Sequence, residues 1–589
     1  MHLRFQFILS AACAQPFTTA GRLPPKLCKA FPGTSDWPSK SQWNHLNETL
    51  GGRLLQPTPP AAVCHTDWPN YDSQACSQVK SNWSVYEYHT ENPISVILDQ
   101  FTNDTCLPDG EFPCSADGYP AYVINVTTTE HVKLGIDFAR KHSVRLVVKN
   151  TGHDYIGRSI APGALSLWTH HLNDIEYHGG SFKMGGCDTT IPGNAVTVGA
   201  GAQMYDIYTA TDEHNQTIVG GGGKSVGIGG YITGGGHSAL APRYGLAADQ
   251  VLQMELVTPS GEILTVNENQ HSDLFWAMRG GGGSTFGVLT SVTMKTHPSP
   301  KMLNLALMML VDPDAPFLYD FIAYTLSLFP SLADAGLSGY AFIMSRIPNP
   351  IPSPGAPAEV AGILGMFMLQ DTEDTQAMSN LLAPINQTIQ ARWPGGVQVI
   401  PGITPYKSFL AWFDVTYDQR TAGNSSYLVS RLLDKHALQS DRTSLSAAVE
   451  KALRTLGGMA ALLVSGKGVH DAVPRGGSNA VNPGWRKSYV HSLGSQGFPA
   501  FNEPARLEAI DNLKDGFEPM RQLAPDTGAY INEALPFEDD WQHTFWGDNY
   551  ERLLSIKRAV DPHDVLWCAP CVGNERWNER HDGRLCKID

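Results

Sequence analysis

Between Thr127 and His142 the apolar positions fall with helical spacing: Val132, Ile136 and Ala139 stand at i, i+4 and i+7, on one face. Thr127 and Glu130 have the spacing of a capping box ahead of them. The run Val144-Arg145-Leu146-Val147-Val148 then predicts a short buried strand. It ends in Lys149-Asn150-Thr151-Gly152-His153-Asp154-Tyr155-Ile156-Gly157-Arg158-Ser159. A helix therefore feeds a strand, and the strand feeds a tight turn with a histidine at its tip. Such a turn can aim backbone N–H groups at an anion, and Gly152 lets a ligand approach the backbone closely. On pattern alone an ordinary polar turn carrying a surface histidine remains the alternative.

Further along, Ala195 to Val198 predicts another strand. Val251 to Val257, a turn at Pro259-Ser260-Gly261 and Ile263 to Val266 predict a hairpin. Between them, residues 220 to 236 read GGGGKSVGIGGYITGGG. Glycine carries an entropic cost, so its clustering predicts a backbone wrapped closely around something flat or phosphorylated. Gly223-Lys224-Ser225 resembles the end of a P-loop, but Ile218 stands where that motif needs its first glycine. The strict G-x-G-x-x-G pattern is absent, and its relaxed form from Gly234 to Ala239 lacks a strand before it. His297-Pro298-Ser299-Pro300 marks a boundary. Beyond it the chain turns to Leu, Met and Ala at helical spacing, broken by a Pro-rich loop from Pro348 to Pro357. Trp485 to His491 reads as a strand with Tyr489 and His491 on one face.

At 589 residues the chain is too long for one core, so two or more domains are expected. A net charge of −15 argues against nucleic acid or an anionic membrane as partner, and no apolar run is long enough to span a bilayer. Met1 to Arg4 is a short basic start. Phe5 to Ala14 is mostly apolar and closes on Ala12-Cys13-Ala14, a small-residue cleavage pattern before Gln15. Asn-x-Ser/Thr acceptors stand at Asn47, Asn82, Asn103, Asn125, Asn215, Asn386 and Asn424. The expectation is a secreted or lumenal glycoprotein. Cys28, Cys64, Cys76, Cys106 and Cys114 cluster near the N-terminus, where disulfides would pin a loop-rich region of unreadable connectivity. Cys568-Ala569-Pro570-Cys571 has no partner CxxC, which favours a structural disulfide or separate pairings over a metal.

Four stretches in order, KNTGHDYIGRS, GIGGYITGGGHSALAPRYGLAADQV, DLFWAMRGGGGSTFGVLTSV and NYERLLSIKRAVDP, resemble the flavin core of the vanillyl-alcohol-oxidase superfamily. The branch is that of the berberine-bridge-enzyme-like FAD-linked oxidoreductases, in its fungal, isoamyl-alcohol-oxidase-like form. The resemblance implies an α+β fold. A PCMH-type FAD-binding domain of two α/β subdomains spans 116–300, and a substrate domain with an antiparallel sheet backed by helices spans 301–525. A signal peptide (1–14) and a Cys-containing extension (15–115) precede them, and 526–589 returns to the FAD domain. It implies FAD joined covalently through His153, with Lys149, Asn150, Thr151, Gly152, Asp154 and Gly157 around it. Gly223, Val226, Gly229, Gly230, Gly234, Gly235, Gly236 and His237 would also hold the cofactor, as would Gly287, Val288, Asn532 and Asn549. Many relatives have a second link through a cysteine, whose place here is Gly223, so one covalent bond is expected. Val226 would leave an open oxygen pocket.

Tyr530, Asn532 and Glu533 resemble the family's Tyr-x-Asn element at the reactive face. Tyr530 or Glu533 would take a proton, Glu533 if burial raises its pKa. Glu533 could also point away, as alternate residues of an extended strand do. His491, on the substrate-domain strand, is the third candidate base. The implied reaction is hydride transfer from a small alcohol, amine or activated C–H to FAD, with O2 as acceptor and no metal, in a protein expected to be monomeric. A carbohydrate oxidase acting at the anomeric carbon, or a flavin carrier without turnover, are the rivals.

Overall fold

The computed structural model describes residues 27–588 except Cys187, Ser353 and Arg420. The expected signal segment, with Cys13, lies outside the described residues, as does Cys187.

The helix forms at Thr129–His142 and buries Val132, Ile136 and Ala139 as their spacing predicts. Its cap lies one residue later than expected: Thr128, in extended conformation, accepts from His131 N, while Thr127 hydrogen-bonds the His131 ring. Three cations in the last turn, Arg140, Lys141 and His142, suit the negative end of the helix dipole. The helix connects Tyr122–Asn125 to Leu146–Lys149. Leu165–Trp168 inserts between these two strands, parallel to both. The N-terminal extension supplies the sheet's fourth strand, Leu54–Leu55, antiparallel at one edge.

The second half of this domain is an antiparallel sheet ordered Ile263–Val266, Val251–Val257, Val288–Lys295, Ala195–Gly199, Ile175–His178. The predicted hairpin and the Ala195 strand are its members. His297–Pro298 still pairs with Gln216–Thr217, and Met302 then opens a different sheet.

That sheet has seven antiparallel strands in the order Val397–Tyr406, Met302–Val311, Glu359–Gln370, Ser338–Pro348, Gly458–Leu463, Ser488–Gly497, Ser426–Asp434. Period-two alternation gives it two apolar faces. Leu303, Leu305, Leu307, Ala461, Leu463, Val429 and Leu433 pack under helices Leu318–Ser327, Arg442–Leu456 and Glu503–Leu523. Met302, Met368, Leu428, Leu432, Leu462 and Leu493 join the core of the first domain instead.

The Ser488 strand departs from the expected pattern. Val490 pairs with Leu433 and Ser488 with Asp434, so Tyr489 is an extra residue in a bulge. The bulge breaks the period: Tyr489 turns to the helix side and reaches Asp334 and His470, whereas His491 faces the first domain. Trp485, expected in this strand, lies in the 3₁₀ turn Pro483–Arg486 before it.

Four disulfides occur among the described residues: Cys28–Cys586, Cys64–Cys76, Cys106–Cys114 and Cys568–Cys571. The first joins the two ends of the chain, and the last pairs the two cysteines of the CxxC with each other. No helix is long and apolar enough to cross a membrane among the described residues.

Candidate active site

A chamber of about 560 Å³ lies where the inner face of the seven-stranded sheet meets the first domain. Three separate stretches of chain converge on it.

The first is the turn after Leu146–Lys149. Asn150, Thr151, Gly152, His153, Asp154 and Arg158 line the chamber. Gly152 sits at φ +85°, and a Cβ there would crowd Ser95 O and Lys149. The turn is held from outside by the N-terminal extension: Gly152 O accepts from Ile97 N, and buried Lys149 Nζ donates to the carbonyls of His89 and Thr90. Burial pushes the Lys149 ammonium down to about 7, with Glu91 opposing. Lys149 therefore supports the turn from beneath rather than facing the chamber. Gly157, packed on Phe101, also lies off the chamber wall. Within the turn, Asp154 accepts from Arg158 N and Nη2, both at 2.5 Å, and the Arg158 guanidinium goes on to Asn532 Oδ1 at 2.8 Å. Burial first, then Lys149 and His89, push the His153 imidazole down to about 3, so it is neutral.

The second is the glycine stretch. Gly221, Gly222, Gly223, Val226, Gly227, Gly229 and Gly230 line the chamber. The clustering has two causes, of which the sequence suggested one. A Cβ on Gly227 would meet Asn150 at 2.2 Å, one on Gly234 would meet Asn532 at 2.2 Å, and one on Gly236 would meet Tyr231 at 2.7 Å. Those glycines are small because protein packs on them. Gly230 has nothing within 4 Å in its Cβ direction and faces the chamber. Gly235, at φ +120°, packs on Val481 and with Gly234 and Gly236 lies behind the wall. The neighbouring loop adds Gly283, Ser284, Gly287 and Val288 to the wall. Buried Lys557 fixes this loop by donating to Thr285 O.

The third is Gly528–Glu533. It is a turn, closed by Glu533 N donating to Tyr530 O at 3.0 Å, and not an extended strand. Tyr530, Asn532 and Glu533 consequently all reach the chamber. Tyr530 Oη accepts from Asn532 Nδ2 at 2.9 Å and from Gly236 N at 3.3 Å. Burial, then the charge of Glu533, raise the phenol well above its usual range, so it stays protonated and can donate into the chamber.

Glu533 accepts from His237 Nε2 at 3.1 Å and from His491 Nε2 at 3.0 Å. Burial opposes its ionisation, but the two histidines outweigh burial and hold the carboxyl well below the usual range. The condition under which Glu533 would serve as a base, a pKa raised by burial, is therefore not met, and a strongly acidic carboxyl is a weak base. His491 is fully buried, its pKa lowered by burial against the pull of Glu533, and it touches Glu533 rather than the chamber. Its Nδ1 and that of His237 are buried without partners. Bare Nδ1 lone pairs fit Nε2–H tautomers donating to the carboxylate. A metal bound through both Nε2 atoms would leave two buried N–H groups unpaired.

Asn549 stands apart. It starts helix Tyr550–Val560 and donates to Val481 O, away from the chamber wall. Ser225 was not anticipated: its Oγ lies 2.8 Å from His153 Nε2. Its only sequence signal was its place in a failed P-loop ending.

The chamber suits a large planar cofactor with polar edges. Asn150 Oδ1 and Arg158 Nη1 are buried beside it without partners, an acceptor and a donor, and Gly230 opens toward it. A family model described as an FAD binding domain matches residues 120–267, and one described as berberine and berberine like matches residues 529–572. Fold and site define an FAD-dependent oxidoreductase. The chain belongs to the berberine-bridge-enzyme-like FAD-linked oxidoreductases of the vanillyl-alcohol-oxidase superfamily. It is 33% identical to the FAD-linked oxidoreductase patO of Aspergillus clavatus, over 96% of this chain and 95% of that one. The crystal structure of the VAO-type flavoprotein MtVAO615 of Myceliophthora thermophila C1 superposes with a TM-score of 0.83 at 31% identity, covering 95% of this chain and all of that one. Glucooligosaccharide oxidase of Acremonium strictum, whose FAD is described as 6-S-cysteinyl and 8α-N1-histidyl, shares the fold at 18% identity and a TM-score of 0.61, over 77% of this chain and 92% of that one.

Proposed function

We propose that the chain carries FAD on a single covalent bond to His153 and oxidises an apolar small molecule by hydride transfer, with O2 as electron acceptor. The observation that carries this reading is the meeting, in one chamber, of the His153 turn, the glycine wall and the Tyr530–Glu533 turn opposite an apolar sheet face. FAD would be held by Asn150, Thr151, Gly152, Asp154, Gly229, Gly230, Gly287, Val288 and Asn532, and would supply the hydride acceptor. A neutral imidazole is a competent nucleophile, and His153 is neutral and half-buried against the chamber. Gly223 offers no thiol for a second bond.

Tyr530, held protonated, donates its hydroxyl to the substrate's oxygen or nitrogen and orients the carbon for hydride transfer, the N–H groups of Gly236 and Asn532 fix its oxygen, and the substrate's own proton goes to solvent. Glu533, kept ionised by His237 and His491, sets a fixed negative charge beside the carbon that turns electron-poor as hydride departs. Tyr340, Phe342, Met366, Leu428, Leu462 and Leu493 form the facing wall. This wall favours an alcohol, amine or activated C–H on an apolar skeleton over an oligosaccharide, whose hydroxyls would lose water without gaining partners. Four disulfides and exposed acceptors at Asn82, Asn103, Asn215, Asn386 and Asn424 support a secreted or lumenal glycoprotein.

The test is anaerobic mixing of the yellow holoprotein with apolar alcohols, amines and sugars. Bleaching by apolar donors, slowed in Tyr530→Phe with its flavin retained, supports the reading. Bleaching by oligosaccharides alone would replace it with the carbohydrate-oxidase reading, and no bleaching by any donor would favour a carrier.

A further inference from the structure

Ser225 is buried, and its hydroxyl meets the His153 ring. The backbone around it is pinned on both sides. Met204 N donates to Val226 O, Tyr205 N to Lys224 O, and Gly227 N to Thr151 Oγ1. The Lys224 ammonium sits over the rings of Tyr205 and Tyr417, at 4.3 and 4.0 Å. Ser225 itself is 3% exposed. On the other side, Tyr86 of the N-terminal extension packs on the His153 ring, with centroids 4.7 Å apart. The imidazole is therefore clamped between a ring and a hydroxyl. Its Nε2 meets Ser225 Oγ at 2.8 Å, and His153 lines the chamber.

We infer that Ser225 is a positioning residue for cofactor attachment: it takes the Nε2–H hydrogen bond of His153 and so leaves the lone pair on Nδ1, the nitrogen that bonds the flavin. This deepens the covalent-attachment reading above and rests on it. A neutral imidazole has one N–H and one lone pair, and the hydrogen bond made by one nitrogen decides which the other carries. The strong depression of the His153 pKa agrees, since an imidazolium would have no lone pair to offer.

A bond forms between Nδ1 and the methyl carbon at C8 of the flavin, and one methyl C–H and the Nε2–H break as protons. The electron pair reduces the flavin ring itself, which takes up one of those protons while solvent takes the other; O2 or another two-electron acceptor then reoxidises it. Attachment strips Nε2 of its proton, and Ser225 can then rotate to donate to the bare nitrogen. A hydroxyl serves both states, because it both donates and accepts.

The experiment compares wild type, His153→Ala, Ser225→Ala and Ser225→Thr, each purified with its flavin. Acid precipitation separates attached from released flavin, and NMR of the flavin-bearing peptide identifies the linked nitrogen. The expected result is attachment through Nδ1 in wild type, a rise in the acid-released share from traces to the larger part in Ser225→Ala, and rescue by Ser225→Thr. A wild-type link through Nε2 overturns the assignment, because that atom cannot both bond the flavin and donate to Ser225. Full attachment through Nδ1 in Ser225→Ala overturns it too. If Ser225→Ala fails to fold, the wild-type linkage and the Ser225→Thr variant decide. Flavin wholly released from wild type, or still attached in His153→Ala, defeats the attachment reading itself and takes the Ser225 assignment with it.

Discussion

The wall that the first domain gives the chamber is glycine and backbone, while the wall that the sheet gives is Tyr340, Phe342, Met366, Leu428, Leu462 and Leu493. The two respond to change in opposite ways. On the first wall an added Cβ strikes Asn150 at Gly227, and just behind it Asn532 at Gly234, so the surface tolerates little substitution and presents a nearly fixed shape. On the sheet wall the side chains end in the chamber, and exchanging one alters its outline while leaving the strand hydrogen bonds in place. In the proposed function the first wall would hold the cofactor, and the second would select the substrate.

The largest expected effect breaks the first wall. Arg158→Ala strips half-buried Asp154 of its ion partner and Asn532 of a donor. We expect a loss of about 1–3 kcal/mol, the cost of leaving a hydrogen-bonded group without its partner, with bound FAD lost as well. Thermal unfolding and flavin content measure both, and an unchanged Tm would mean that the ion pair does not hold this wall. Next, Tyr530→Phe should slow anaerobic flavin reduction by about 10²-fold or more while the flavin stays bound. A rate within a factor of two of wild type would mean that the Tyr530 hydroxyl does not orient the substrate.

A smaller effect belongs to the sheet wall. Met366→Ala should change kcat/KM between two apolar donors of different size by about tenfold, the discrimination of a methylene or two. Flavin content and reoxidation should stay as in wild type. Smallest is Val226→Ile, on the first wall. One added methylene should slow reoxidation by O2 and leave anaerobic reduction nearly unchanged. If it slows reduction instead, Val226 faces the substrate rather than the oxygen path.

The contrast between the walls also explains what could be read in advance. The His153 turn and its strand were legible because local signals define them: apolar run, positive-φ glycine, polar tip. The hairpin from Val251 to Val266 was legible for the same reason. Tyr489 was misassigned to the face of His491 because a bulge leaves no mark on a period-two pattern. The electrostatics of Glu533 could not be read, because its partners, His237 and His491, come from segments remote in sequence, and only folding brings them together. Ser225 was not singled out as a site residue for a related reason: its partner lies 72 residues away. The Cys28–Cys586 pairing joins the two ends of the chain and could not be counted out from spacing. Local chemistry was readable, and chemistry assembled across domains was not.

The most direct test of the account is the mass of the proteolytic peptide that contains His153, taken from wild-type protein after denaturation in acid. The account predicts this peptide heavier by one flavin cofactor, with the modification mapped to His153. An unmodified peptide, with the yellow colour left in the acid supernatant, would contradict it.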